Sequence, residues 1–191
     1  MRRYAVRMAR RSAEETRGHL LAVAGDLFYW SGVRATGVDV VARRAGIAPT
    51  TLYRVFPTKD DLVAAYVRAN ADGYRRWFDA AVAAAGDDPR DRIRAVFDAL
   101  ARQVRPENCR GCPFLMALTE FPDSELAAHR EAVALKAWVR DRFGELAADL
   151  GRPAVGDRLV LVMEGVYASV QALGDAGPAH AARDLVAALI E

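Results

Sequence analysis

The chain has 191 residues, 52% hydrophobic and 27% charged, which is enough apolar side chain for one large or two small domains with packed cores. Two cysteines are too few for a disulfide scaffold, no secretory h-region opens the chain, and no run reaches the ~18 uninterrupted apolar residues of a membrane span. These absences lead us to expect a cytoplasmic protein with no membrane partner. The net charge of +2 conceals an asymmetry: Met1 to Lys59 holds eleven Lys/Arg against four acids, +7, and the remainder sums to −5. Such a division separates a part suited to a polyanion from a part that DNA repels.

In chain order, Arg2, Arg3, Arg7, Arg10 and Arg11 form a basic arm of the kind that reaches into a minor groove beside a helix-turn-helix, and a start at Met8 would remove part of it. Ser12 opens the first predicted helix, with Glu14 and Glu15 in the first turn where the helix dipole favours acids. Leu20, Leu21, Ala24, Leu27 and Phe28 make its apolar stripe, and Gly32 stops it. Tyr29 and Trp30 read as packing residues.

From Thr36 to Leu62 the sequence TGVDVVARRAGIAPTTLYRVFPTKDDL predicts two short helices. Val38, Val41, Ala42 and Ala45 recur at helical spacing and end on Gly46, which most readily takes the left-handed turn that stops a helix. Pro49 follows at a first-turn position, and Leu52 and Phe56 give the second helix an inward face. Helices this short are stable only if they bury against each other and a neighbour, which is a helix-turn-helix. Thr50, Thr51, Tyr53 and Arg54 are left on the outer side, with Arg43 and Arg44 closing the first helix and Lys59 just beyond. Hydroxyl, phenol and guanidinium groups on a major-groove-sized helix suit phosphate oxygens and base edges of double-stranded DNA.

These residues, Glu14 to Val67 most closely, resemble the DNA-binding domain of the tetracycline-repressor-like (TetR/AcrR) transcriptional regulators, through Thr36, Ala42, Gly46, Leu52, Tyr53, Phe56 and Lys59. The resemblance implies phosphate contacts at Thr36, Tyr53 and Lys59, and base-edge or nearby backbone contacts at Pro49, Thr50, Thr51 and Arg54. Pro49, Thr50 and Val55 depart from the family's usual residues, a difference that bears on which operator is read.

Thr58 caps a long helix to about Ala84, with Asp60 and Asp61 in its first turn. At ~1.5 Å per residue such a helix spans ~38 Å, so displacing its far end would swing its near end. Gly86-Asp87-Asp88-Pro89 breaks the chain before a helix over Arg90–Gln103 with Ile93, Val96, Phe97 and Leu100 inward. Cys109-Arg-Gly-Cys112-Pro113 then precedes the apolar helix FLMALTEF. Three readings of this CxxC stay open: structural thiols, thiol-based sensing at a helix N-terminus, or a metal site with help from Glu120, Asp123 or His129. Zinc would need two more ligands and a thioredoxin-like site a βαβ context, so no metal or cofactor is assigned.

Ser124 is expected to cap a helix to about Leu150 that runs through Leu126, Val133, Ala137, Trp138, Phe143 and Leu146. Trp77, Phe97, Phe114, Met116, Phe121 and Trp138, joined by Met163 and Tyr167, are the candidate lining of a cavity. The resemblance implies a small-molecule inducer among these middle helices. The last two helices are predicted at about Ala154–Leu173 and Pro178–Ile190, and the first is apolar around nearly its whole circumference, so it needs cover on two sides. A second copy of the chain would supply one side, through Leu159, Val162, Val166, Val170, Leu185 and Leu189, with Gly165, Ala168 and Ala172 allowing close approach. Glu164 interrupts this run as a candidate inducer contact or a paired carboxylate.

The expected fold is therefore all-α: a three-helix helix-turn-helix domain over residues 12–58 and a ligand-binding and dimerisation bundle over 59–191, about nine helices in all. The function expected is a homodimeric DNA-binding regulator, by resemblance a repressor released from a pseudo-palindromic operator by an inducer. A thiol-sensing regulator using Cys109 and Cys112 is the first alternative, and a thiol oxidoreductase using the same pair is the second. An enzyme is not expected, because the sequence has no Gly-rich phosphate loop, no HExxH and no nucleophile elbow.

Overall fold

A computed structural model describes residues 12–105 and 107–191. The basic arm expected ahead of Ser12 lies outside them. Among the described residues the chain is all-α, with nine α-helices and no strand. They are α1 Ala13–Ser31, α2 Val38–Ala45, α3 Pro49–Val55, α4 Lys59–Ala83, α5 Pro89–Gln103, α6 Pro113–Glu120, α7 Ala127–Asp149, α8 Val155–Leu173 and α9 Ala182–Ile190.

The helix ends follow local chemistry. Ser12 and Glu15 form a reciprocal capping box at α1, each side chain bonding the other's backbone N–H. Thr58 and Asp61 repeat the device at α4, with Asp61 N–H donating to the Thr58 hydroxyl at 3.1 Å and Thr58 N–H to the Asp61 carboxylate at 3.0 Å. At the start of α7 the sequence reading needs correction. Ser124 caps nothing: the Asp123 carboxylate accepts from Glu125 N–H at 2.9 Å and holds a turn, so the helix begins only after Leu126. The last predicted helix is also shorter than expected, because two 3₁₀ turns, Gly174–Ala176 and Pro178–Ala181, take up its start.

The chain divides into two compact units between Tyr66 and Val67, inside α4. This lies beyond the expected boundary at Thr58, because the first turns of α4 belong with α1: Leu62 is buried and the Tyr66 ring meets Phe28 edge-on at 5.4 Å and touches Gly25. The first unit is built on Leu20, Ala24, Phe28, Val41, Ala42, Ala45, Leu52 and Phe56. Trp30, read as a packing residue, is exposed and rests edge-on against Tyr29.

In the second unit α7 packs most extensively on α8. At their junction an added Cβ on Gly156 would lie 3.1 Å from the Gly144 backbone, so two glycines set how closely the helices approach. The core is aromatic: Phe78 meets Trp138 and Phe143 edge-on, and Phe97 stacks on Phe143 at 5.7 Å. Val133, one of the apolar residues along α7, is exposed. Val155–Ala176 is long and apolar enough by length and composition to cross a membrane, although Asp157, Arg158 and Glu164 interrupt it so that no uninterrupted apolar run of ~18 residues occurs. A bundle core helix meets the same criterion, and Leu159, Met163, Tyr167 and Val170 of α8 are packed inside this one.

Two glycines test this account with opposite signs. Gly46 has φ +68° and open space where a Cβ would go, so Gly46→Ala should destabilise by about 1–2 kcal/mol through the left-handed backbone alone. Gly18 sits mid-α1, also in open space, and Gly18→Ala should stabilise by about 1 kcal/mol. Urea unfolding of both variants, with unchanged slopes, measures the difference.

Candidate functional site

The first unit presents α2, the turn and α3 as one device. The Gly46 N–H closes onto the Ala42 and Arg43 carbonyls, Ile47 N–H returns to Ala42 O at 3.0 Å, and Pro49 starts α3 without an N–H to satisfy. His19 of α1 bonds the Ala45 carbonyl at the end of α2 through Nε2 at 3.0 Å, and the Arg17 guanidinium lies 4.4 Å over the Phe56 ring. Because Leu52 and Phe56 are fully buried, the opposite side of α3 faces out. Pro49, Thr50 and Arg54 are exposed, Tyr53 is 45% exposed and Thr51 is half-buried, with exposed Arg43 and Arg44 closing α2. Among the described residues no hydrogen bond or ion pair engages the side chains of Arg43, Arg44, Thr50, Tyr53 or Arg54. Their donors are free for an incoming acceptor.

Two residues expected on this surface sit differently. Thr36 is 3% exposed and its hydroxyl donates to Gly32 O at 2.8 Å, because it ties the turn that follows α1. Lys59 is half-buried and its ammonium donates to Val33 O at 2.8 Å, strapping the start of α4 to that same turn. Both support the surface from behind.

In the second unit the residues expected to line a cavity take different places. Phe97, Phe114, Phe121, Met163 and Tyr167 are packed in the core and Met116 is half-buried, while Trp77 and Trp138 line two separate open clefts of about 480 and 540 Å³. Tyr74 packs between two of these rings, tilted against Trp77 and edge-on to Phe114.

Within that apolar wall lies a polar cluster that sequence reasoning found only in part. The Tyr74 hydroxyl donates to Met163 Sδ at 2.9 Å, and Lys136 donates to Glu164 Oε1 at 2.5 Å and to Cys112 Sγ at 3.2 Å. Glu164 Oε2 is buried without a hydrogen-bond partner among the described residues. Tyr74 and Lys136 carried no sequence signal, because only the packing of α4, α6, α7 and α8 brings them to Glu164. Burial holds both the Tyr74 and Tyr167 phenols well above the ordinary tyrosine value, and negative charge on the nearby Cys112 sulfur would push each the same way. Among the described residues no three His, Cys, Asp or Glu side chains gather as a metal site would need, so the metal reading of Cys109 and Cys112 with Glu120, Asp123 or His129 has no geometry behind it.

The faces of α8 also differ from the expectation. Leu159, Val166 and Val170 are buried within the chain itself. The outward apolar face is instead Leu161, 72% exposed, with half-buried Val162 and exposed Gly165 and Ala168, next to Leu185, 52% exposed, on α9. Leu189 is half-buried there. A groove of about 390 Å³ runs between Leu161, Val162, Gly165, Ser169, Ala182 and Leu185.

A two-helix device with its inner face buried and unengaged cationic and hydroxyl groups outside, joined in one all-helical chain to a larger bundle, defines a helix-turn-helix DNA-binding protein. Residues 20–66 match the model of bacterial regulatory proteins of the tetR family. The TetR-family transcriptional regulator SCO4454 of Streptomyces coelicolor is 30% identical, each chain covering 93% of the other, with a TM-score of 0.82. The putative tetR transcriptional regulator sav143 of Streptomyces avermitilis is 27% identical over 92% of this chain and 96% of its own, at a TM-score of 0.77. The HTH-type transcriptional activator FasR of Mycolicibacterium smegmatis is 28% identical over 149 residues, 78% of this chain and 67% of that protein. The chain belongs to the TetR family of transcriptional regulators.

The buried phenols give a pH test. A phenol whose pKa is raised by folding stays neutral in the native state while the unfolded chain ionises near pH 10, so stability falls from about pH 10 upward. In an alkaline titration read at 295 nm, the double variant Tyr74→Phe, Tyr167→Phe should match the parent's amplitude below about pH 11, since neither residue ionises there. A loss of a third of the signal from the six tyrosines would overturn the placement.

Proposed function

We propose that this chain is a homodimeric repressor of transcription that works in the cytoplasm on a pseudo-palindromic operator and is released by a small-molecule inducer. The observation that carries the DNA reading is the set of exposed, unengaged side chains Arg43, Arg44, Thr50, Tyr53 and Arg54 around one short helix. In a symmetric dimer, two such helices enter successive major grooves about 34 Å apart. Thr50 and Arg54 are the base readers, with Pro49 and Thr51 beside them, and Tyr53, Arg43 and Arg44 hold phosphates. Thr36 and Lys59 act as supports for that surface.

The dimer reading rests on the outward face of α8 and α9, where Leu161 and Leu185 stand exposed on either side of an apolar groove. The inducer reading rests on the Glu164 carboxylate, which has one oxygen paired to Lys136 and the other buried without a partner inside an aromatic wall. A molecule donating to that oxygen would gain a charge-assisted bond, and would release DNA only by binding the non-operator state more tightly. α4 contributes residues to both units and is the element such a shift would involve. FasR is an activator by name. The sign of regulation is read by a reporter under the chain's own promoter, which repression predicts will rise when the gene is deleted. No step of this function is catalytic.

Two experiments test the reading. Anisotropy titrations of operator DNA should show Thr50→Ala, Tyr53→Ala and Arg54→Ala together abolishing discrimination between operator and unrelated DNA, while Arg43→Ala weakens all sequences and lowers the salt slope by about one. An unchanged operator affinity in the triple variant would remove α3 as the reading helix. Light scattering should find the parent dimeric and Leu161→Glu with Leu185→Glu monomeric, with operator affinity lost in proportion.

A further inference from the structure

The CxxC motif is the one chemical signature that the regulator reading leaves unused, and its surroundings are not those of inert core thiols. Cys112 is 2% exposed at the N-cap of α6, yet its sulfur accepts from the Lys136 ammonium at 3.2 Å, and that ammonium pairs with Glu164 of α8. The Lys136 side chain that meets this buried sulfur is itself 23% exposed. Between the cysteines the backbone bends at both Arg110 and Gly111, with Gly111 at φ +127°. Two residues separate the cysteines, the spacing of the Cys-X-X-Cys motifs that redox proteins close into a disulfide. Both sulfurs also lie close enough to the buried Tyr167 phenol to raise its pKa. The loop is pressed on α8, since a Cβ on Gly111 would lie 2.5 Å from Gln171 Oε1.

We propose that Cys112 and Cys109 are a peroxide-sensing thiol pair, with Cys112 the sulfur that is oxidised, Cys109 the one that resolves it, and α8 the element that registers the change. The Cys112 sulfur attacks a hydroperoxide, the O–O bond breaks, and an alcohol or water leaves with the thiol proton, giving a sulfenic acid beside the Lys136 ammonium. The Cys109 sulfur then displaces that hydroxyl, which departs as water with the second thiol proton. The two sulfurs lose two electrons in all and the peroxide gains them. Closing the ring draws the loop away from Gln171 and takes the Cys112 sulfur from Lys136, whose remaining partner is Glu164, one turn from the outward residues Leu161 and Ala168. The regulatory half of this inference rests on the operator-binding reading above, and the thiol chemistry does not.

The test uses the full chain and hydrogen peroxide. Alkylation after denaturation should count two free thiols in the reduced protein and none after peroxide, with the intact mass lower by two hydrogens and restored by a dithiol reductant. Cys109→Ser should accumulate a dimedone-reactive sulfenic acid at Cys112, and Cys112→Ser none at Cys109. Operator affinity should fall about tenfold or more on oxidation and recover on reduction, while Cys109→Ser with Cys112→Ser keeps its affinity through the treatment. Two alkylatable thiols after peroxide would overturn the site, and full oxidation with unchanged operator affinity would overturn its regulatory role. A reduced protein that binds no DNA but forms the disulfide would sink the operator reading and leave the thiol pair standing.

Discussion

At Gly46 the backbone takes φ +68° and its N–H closes onto the last carbonyls of α2, and every feature of the presented surface depends on that turn. It lets α3 leave α2 at an angle that sends Leu52 and Phe56 inward against α1. Once those two side chains are buried, Thr50, Tyr53 and Arg54 have nowhere to point but outward. The surrounding contacts hold this geometry from behind: His19 on the Ala45 carbonyl, Thr36 on Gly32, and Lys59 on Val33. A helix of seven residues has little stability of its own, so its orientation is set by its supports.

The second unit solves a different problem. Its rings fill space against one another, leaving the larger clefts at its outside, and yet a carboxylate, an ammonium, two phenols and a thiol sit among them. Burying such groups is costly unless they satisfy each other, and the Lys136–Glu164 pair does so for all but one oxygen. That unmatched oxygen and the lysine-bound sulfur are the observations on which the proposals of ligand and peroxide response rest.

Helix α8 joins these themes. One side of it carries Met163, Glu164 and Tyr167 toward the cluster and core, and the other carries Leu161, Gly165 and Ala168 outward. Glu164 thus sits on the same helix whose exposed apolar face is proposed to meet a second copy.

The sequence by itself determined the elements whose signals are local: the Ser12 box, the glycine stop at position 46, proline at the start of α3, and the long α4 after Thr58. It also determined the outward chemistry of α3, since one periodic face of a short amphipathic helix implies the other. Only the tertiary structure decided which apolar residues face which neighbour. An apolar stripe looks the same whether it meets its own bundle or a second chain, so Leu159, Val166 and Val170 could not be told from Leu161 by pattern. Aromatics likewise read alike whether they line a cavity or pack a core, and only the fold shows that Phe97 and Phe114 are buried. Thr36 and Lys59 turned inward because the carbonyls that receive them lie in a turn that sequence spacing does not reveal. The meeting of Tyr74, Cys112, Lys136 and Glu164 needs four helices folded together, and no linear spacing encodes it.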